Sequence, residues 1–405
     1  MKKVLKIILI ICLFFLYIYV YNIAAIPESI VLSEGEGFNV NLAIGLDFKD
    51  SNNYTTTFVS SNLNKEKIGL NQVKLKLFNN IEIKDINVSV IPTTTVIPLG
   101  QAIGMKLYTK GVLVVGMSEI ENTENVKEKP YENSGIEEGD SIIAINNKEV
   151  NTTEELIKQV NSSNGEELNI KYLKNDKVLE TSITPVKTQE DYKIGLWVRD
   201  AAAGVGTLTF YEPSTNMFMS LGHGIVDIDT EEIVNISSGE LVTANILSIT
   251  KGEKNKPGEI KGTITNGATI GNIYKNTSMG VYGTVRNKQY LSSNYNEMEV
   301  ASRAEIQQGK ATILCQLNSG QPKEYEIEIE KIYTNNNSDN KSMLIKITDE
   351  ELLEKTGGII QGMSGAPVLQ NGKFIGAVTN VLVKDPTRGY AIFGDLLIKQ
   401  MRSSD

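Results

Sequence analysis

The chain has 405 residues, 22% of them charged, and carries a net charge of −9. That acidic balance gives no basic footprint for nucleic acid, and the length allows two or three domains with cores of their own. One histidine, His223, and two cysteines, Cys12 and Cys315, leave too few ligands for a zinc site, and no metal or other cofactor is implied. Any chemistry falls to hydroxyls, carboxylates, lysines and that single imidazole.

In chain order, Lys2, Lys3 and Lys6 precede an apolar run from Ile7 to Ile26, about the 20 residues a membrane helix needs. The lysines stay on the cytoplasmic side, so the rest of the chain is exported. Cleavage as a signal peptide near Ala24-Ala25 is the competing reading, and the length of the run favours a retained anchor over residues 1–26. Residues 27–98 read as a small β module: Val73, Leu75 and Leu77 alternate with Gln72, Lys74 and Lys76, and Asn79-Asn80 offers a turn.

Residues 99–187 have the element order of a PDZ domain. Ser134-Gly135-Ile136-Glu137-Glu138-Gly139-Asp140-Ser141-Ile142-Ile143-Ala144-Ile145-Asn146 resembles the core motif of bacterial PDZ domains, and Thr152 with Glu155 forms a capping box before an amphipathic helix. The same resemblance implies a groove in which backbone amides around Ile103, Gly104 and Met105 hold a peptide carboxylate. From Asp191 to residue 405, many short strands separated by turn residues predict a barrel or sandwich. Trp197 is expected in its core, and the asparagine-rich stretch 334–341 as an exposed loop.

Two glycine-framed residues in this last part suggest nucleophilic chemistry. In Gly362-Met363-Ser364-Gly365-Ala366-Pro367 a serine sits on a tight turn, where the Gly362 and Ser364 amides can converge as an oxyanion hole. A serine needs a base, and the one imidazole lies in Leu221-Gly222-His223-Gly224-Ile225. These two motifs, with Gly195-Leu196-Trp197-Val198-Arg199-Asp200, closely resemble the stage IV sporulation protein B serine peptidases, and the resemblance runs through most of the chain. Ala366 departs from the pattern, which has a second small polar residue there.

The resemblance implies a mainly β protein: membrane helix, β module, PDZ domain and a chymotrypsin-like double β-barrel over 191–405. It implies a membrane-tethered endopeptidase with Ser364 as nucleophile and His223 as base, and it puts the acid at Asp349. From the residues alone Asp227 stays in reserve, and Asp349 also reads as ordinary helix-start chemistry, with Thr348 and Glu351 as a capping box. A lysine base, Lys355 or Lys373, is a weaker alternative. Further implications are self-cleavage near the N-terminus and a protein substrate in the space between forespore and mother cell. That substrate would be a regulator of an intramembrane metalloprotease that matures a late sigma factor. A different class of function, an inert PDZ scaffold, is disfavoured by the intact Ser364 and His223.

Overall fold

The computed structural model describes residues 94–403, apart from 176, 292–295, 304, 334–339 and the side chains of 265–267. Before them it describes four strands and a few isolated helical positions. Of the predicted membrane span only Phe14, Tyr17, Val20 and Tyr21 are among these, so the span itself lies outside the described residues. No helix among the described residues is long and apolar enough to cross a membrane. The N-terminal strands form one sheet in the order Ser29–Ser33, Ile81–Ile91, Gly69–Leu77, Val59–Ser60. The two longest pair antiparallel, with Val73 opposite Ile86.

The architecture beyond is mainly β and starts earlier than the sequence predicts. Strand β1 (Thr95–Met117) is buried on both faces from Pro98 to Met105, and on one of them, in the period of two a strand imposes, Leu99, Ile103, Met105 and Leu107 share one core. Past a bulge at Thr109–Gly111 the same strand enters a PDZ unit, whose β2 (Ser141–Ile145) pairs with it through Val112 and Ile142. Helix α1 (Thr153–Ser162) follows, capped as expected: the Thr152 hydroxyl accepts the Glu155 amide at 3.2 Å. It turns Leu156 and Val160 inward, while Ile157 is half exposed. Strands β3 (Leu168–Lys174) and β4 (Lys177–Ile183) complete the unit.

Strand β5 (Leu196–Glu212) then runs back antiparallel along β1, from Leu196 opposite Met117 to Tyr211 opposite Ile97. With β6 (Met217–Ser220), β7 (Ile236–Thr250), β8 (Glu259–Thr277) and β9 (Gly280–Val285) the sheet closes on itself. The ring runs β1, β5, β6, β9, β8, β7 and back to β1, so the first barrel has six strands. The PDZ unit is thus an insertion at the tip of the β1–β5 hairpin, and the strands of the catalytic part begin at Thr95, well before Asp191.

The second barrel is also closed, in the order β10 (Gly309–Cys315), β11 (Lys323–Ile332), β12 (Met343–Ile347), β15 (Arg388–Phe393), β14 (Lys373–Val381) and β13 (Pro367–Gln370). Helix α2 (Glu350–Thr356) precedes the serine turn, and α3 (Gly394–Arg402) ends the described chain. A separate core joins the barrels: Phe210, Met219 and Tyr282 from the first meet Phe374, Ile392 and Leu397 from the second. The Phe210 and Phe374 rings meet edge to face with centroids 5.3 Å apart. Cys315 is a free, fully buried thiol, its pKa pushed up to about 12 by burial first and the nearby Asp349 charge second.

Two expectations are corrected. Trp197 is not core: it is 63% exposed, with its indole N–H on Ser118. Asn340, within the stretch expected as an exposed loop, is buried and donates to the Gly222 and Ser278 carbonyls, tying the second barrel to the first; residues 334–339 lie outside the described ones.

Candidate active site

An open cleft of about 850 Å³ lies along the seam of the two barrels, and both His223 and Ser364 line it. Each arrives from its own barrel. His223 follows β6 by three residues, and Leu221 before it takes φ +64°, a left-handed conformation uncommon for a residue with a Cβ. Ser364 sits between Gly362 at φ +96° and Gly365 at φ +91°, conformations glycine adopts without penalty.

The glycines also let the two motifs touch. A Cβ on Gly365 would lie 2.6 Å from the Leu221 nitrogen and 2.7 Å from the Thr207 carbonyl oxygen. One on Gly222 would lie 2.6 Å from Thr379 Cγ2. No side chain fits at either position, so the histidine segment packs directly on the serine turn and on β14.

Hydrogen bonds to the backbone fix this docking. The Thr207 hydroxyl donates to the Gly362 carbonyl at 2.6 Å. The run-up to the turn is threaded onto the first barrel: Gln361 N–H donates to Gly258 O at 2.9 Å, and Ile260 N–H to Gln361 O at 2.8 Å. Among the described residues neither the Gly362 nor the Ser364 amide has an acceptor, which suits donors kept for an oxyanion. The Ser364 hydroxyl donates to the Thr379 carbonyl at 2.7 Å. The His223 Nδ1 lies 2.8 Å from the Gly224 carbonyl; a carbonyl only accepts, so Nδ1 carries the hydrogen and Nε2 is left as the basic nitrogen.

The structure does not bring Asp349 into the cleft. It is the N-cap of α2, one oxygen accepting Leu352 N–H at 2.9 Å and the other Glu326 N–H at 3.3 Å. The cap is therefore Asp349 itself and not Thr348, while Glu351 is held well below the usual carboxylate range, at about 2, by Lys323 and Lys355. Asp227 does line the cleft, but it is engaged: Oδ1 accepts the Asp229 and Thr230 amides and Oδ2 meets Arg199. The lysine alternative fails on geometry, since neither Lys355 nor Lys373 lines the cleft. Lys373 is also paired with Glu305 and Glu299, which raise its pKa, the wrong direction for a base.

The expected carboxylate loop is corrected as well. Gly104 lies mid-strand in the first barrel, opposite Val205 on one side and Val242 on the other. Both edges of Ile103–Met105 are taken, so no peptide can add there. The strand against α1 is instead the start of β5: Asp200 accepts the Thr153 amide at 2.8 Å, and Leu196 and Val198 pack into the core that holds Leu156 and Val160. From Leu196 to Gly206 the outer edge of β5 is unpaired among the described residues, and Ala201–Gly206 line the cleft. Sequence reading missed this role of β5, although its Trp197-Val198-Arg199-Asp200 segment stood out as a motif.

Two barrels with a glycine-framed serine and a histidine on one cleft define a serine peptidase. The model of the SpoIVB peptidase S55 family matches residues 190–398, about half of the chain, and a PDZ-domain model matches 101–184. The chain belongs to the SpoIVB peptidase S55 family. It is remotely similar to crystal structures of the Rv3671c protease of M. tuberculosis. For the active form the identity is 14% over 61% of this chain and 84% of that one, with a TM-score of 0.29. For the inactive form it is 13% over 49% and 82%, with a TM-score of 0.27.

Proposed function

We propose that the chain is a membrane-tethered serine endopeptidase that signals during sporulation by cutting itself and a regulatory membrane protein. Ser364 is the nucleophile and His223 the base, and the observation that carries this is that both line one cleft, with Gly365 of the serine turn packed on Leu221 and Gly222 beside the histidine packed on Thr379. The hydroxyl turns from the Thr379 carbonyl to His223 Nε2, the Oγ–C bond forms, and the proton passes to the imidazole. The Gly362 and Ser364 amides donate to the oxyanion, and His223 returns the proton to the leaving amine; water then repeats the sequence on the acyl-enzyme. The third role, given by the resemblance to Asp349, lacks the support of proximity; the Gly224 carbonyl is the group that orients the ring.

The peptide groove is read between α1 and the start of β5, supported by the unpaired β5 edge there. A substrate strand added along it leads to Ser364. In this reading residues 1–26 anchor the enzyme, its domains face the space between forespore and mother cell, and its target is a regulator of an intramembrane metalloprotease that matures a late sigma factor. Incubating the full-length chain tests the reading. Wild type is expected to shorten near its N-terminus, while Ser364→Ala and His223→Ala each lower the rate by several orders of magnitude and equally, because such groups act as a unit. Unchanged self-cleavage in Ser364→Ala would leave the inert-scaffold reading in its place.

A further inference from the structure

Adjacent residues of β5 reach in opposite directions. Asp200 takes the first amide of the PDZ helix, Thr153 N–H, at 2.8 Å, and its own carbonyl accepts the Thr109 hydroxyl where β1 leaves the barrel. Arg199 lines the cleft and spans to the loop that follows His223. Its guanidinium meets Asp227 through Nη1 and Asp229 through Nη2, the latter at 2.7 Å.

Asp227 is the knot of that loop. Its side chain is 1% exposed, its free oxygen gathers the Asp229 and Thr230 amides, and its backbone pairs with Glu231 and Glu232. The base of the loop is held separately by Asn276, which bonds both the amide and carbonyl of Ile225 and the carbonyl of Val234. Between His223 and Asp227 lie only Gly224, Ile225 and Val226, with Ile225 the residue that Asn276 holds, and the Gly224 carbonyl is what orients the His223 ring. A buried carboxylate stripped of its counter-charge does not keep its place, so the tip of the loop stands where Arg199 puts it.

We propose that Arg199 is a positioning residue for His223, and that it links the seating of the PDZ helix on β5 to the rate of serine acylation. The inference rests on the Ser364–His223 reading. Anything that shifts β5 against α1 moves the guanidinium, and with it the loop whose Gly224 carbonyl sets the imidazole.

The test uses the full-length chain and a fluorophosphonate probe. The Ser364 Oγ–P bond forms, fluoride leaves, and the hydroxyl proton passes to His223, so kinact reports the pair directly while KI reports binding of the probe. Arg199→Ala is expected to lower kinact at least tenfold with KI within about twofold. Arg199→Lys should recover part of the rate, since a lysine satisfies one carboxylate but not two. Asp229→Asn removes the exposed half of the clamp without stranding a buried charge, and it guards against a misfolded Arg199→Ala; a threefold or larger fall in kinact is expected.

Thr153→Pro tests the PDZ end. It deletes the amide that Asp200 holds at a first helical position, where proline is accepted, and Thr152 before it is already extended (φ −130°, ψ 155°). Its kinact should fall with KI unchanged. Wild-type kinact in folded Arg199→Ala and Asp229→Asn chains, or losses confined to KI, overturns the positioning role. Wild-type kinact in Thr153→Pro alone removes the PDZ link. Labelling that survives Ser364→Ala, or a wild-type chain that never labels, sinks the catalytic reading beneath the proposal.

Discussion

Ser364 and His223 could be picked out of the sequence because glycine leaves a mark wherever backbones must touch, and Gly365 lies against Leu221 as Gly222 lies against Thr379. A carboxylate leaves no such mark. Asp349 at the start of a helix suits a triad acid and a cap equally well in one dimension; in three, both its oxygens rest on amides. Asp349→Ala is therefore expected to cost about 1 kcal/mol in urea denaturation, and Asp349→Asn little, since asparagine caps as well as aspartate. Loss of self-cleavage in the Asn variant at full stability is the result that would return Asp349 to the triad. Trp197 misleads for a related reason: its size predicts burial, but its Nε1–H is satisfied by Ser118 at the surface.

Strands are read from alternation, and alternation does not say which sheet a strand joins. The period of Leu99, Ile103, Met105 and Leu107 is as compatible with a PDZ strand as with a barrel stave. Only the partners decide, and these are Ala202–Leu208 and Gly239–Thr243, more than a hundred residues or nearly so further on. What does betray the barrel is Gly104, whose Cβ would lie 2.8 Å from Ile264 Cγ1. The seam is equally hidden, since Phe210 and Phe374 come from elements far apart in the chain. Phe374→Ala should lower stability by about 3–5 kcal/mol. Because the cleft straddles that seam, fluorophosphonate labelling of Ser364 should slow even in the fraction that remains folded; labelling at the wild-type rate per folded molecule would show that the barrels keep their alignment without the ring pair.

At the scale of the whole molecule, a PDZ domain and a β-barrel peptidase part are legible in the sequence, while the first strand of the first barrel begins at Thr95, ahead of the PDZ motif. The PDZ motif 134–146 and the helix after Thr152 were plain; the insertion of that unit into a barrel hairpin was not, because a hairpin split by some eighty residues has no local signature. β1 and β5 run unbroken from barrel to PDZ unit, and the PDZ core counts Val112, Val114, Leu196 and Val198 among its residues. Units that share two strands cannot melt independently. Calorimetry should show a single transition for the PDZ and first barrel, and a separate low-temperature PDZ transition would contradict the shared-strand arrangement.

That sharing bears on how far the chain can be trimmed from its front. The described strands between Ser29 and Ile91 form a sheet of their own and add no strand to either barrel, so a cut anywhere up to Ile91 leaves both barrels whole. A cut after Met105 would pull one stave from the first barrel, and Leu99, Ile103 and the wall that Met105 gives the cleft would go with it. Thr95 is thus the latest point to which the chain can be shortened with both barrels intact.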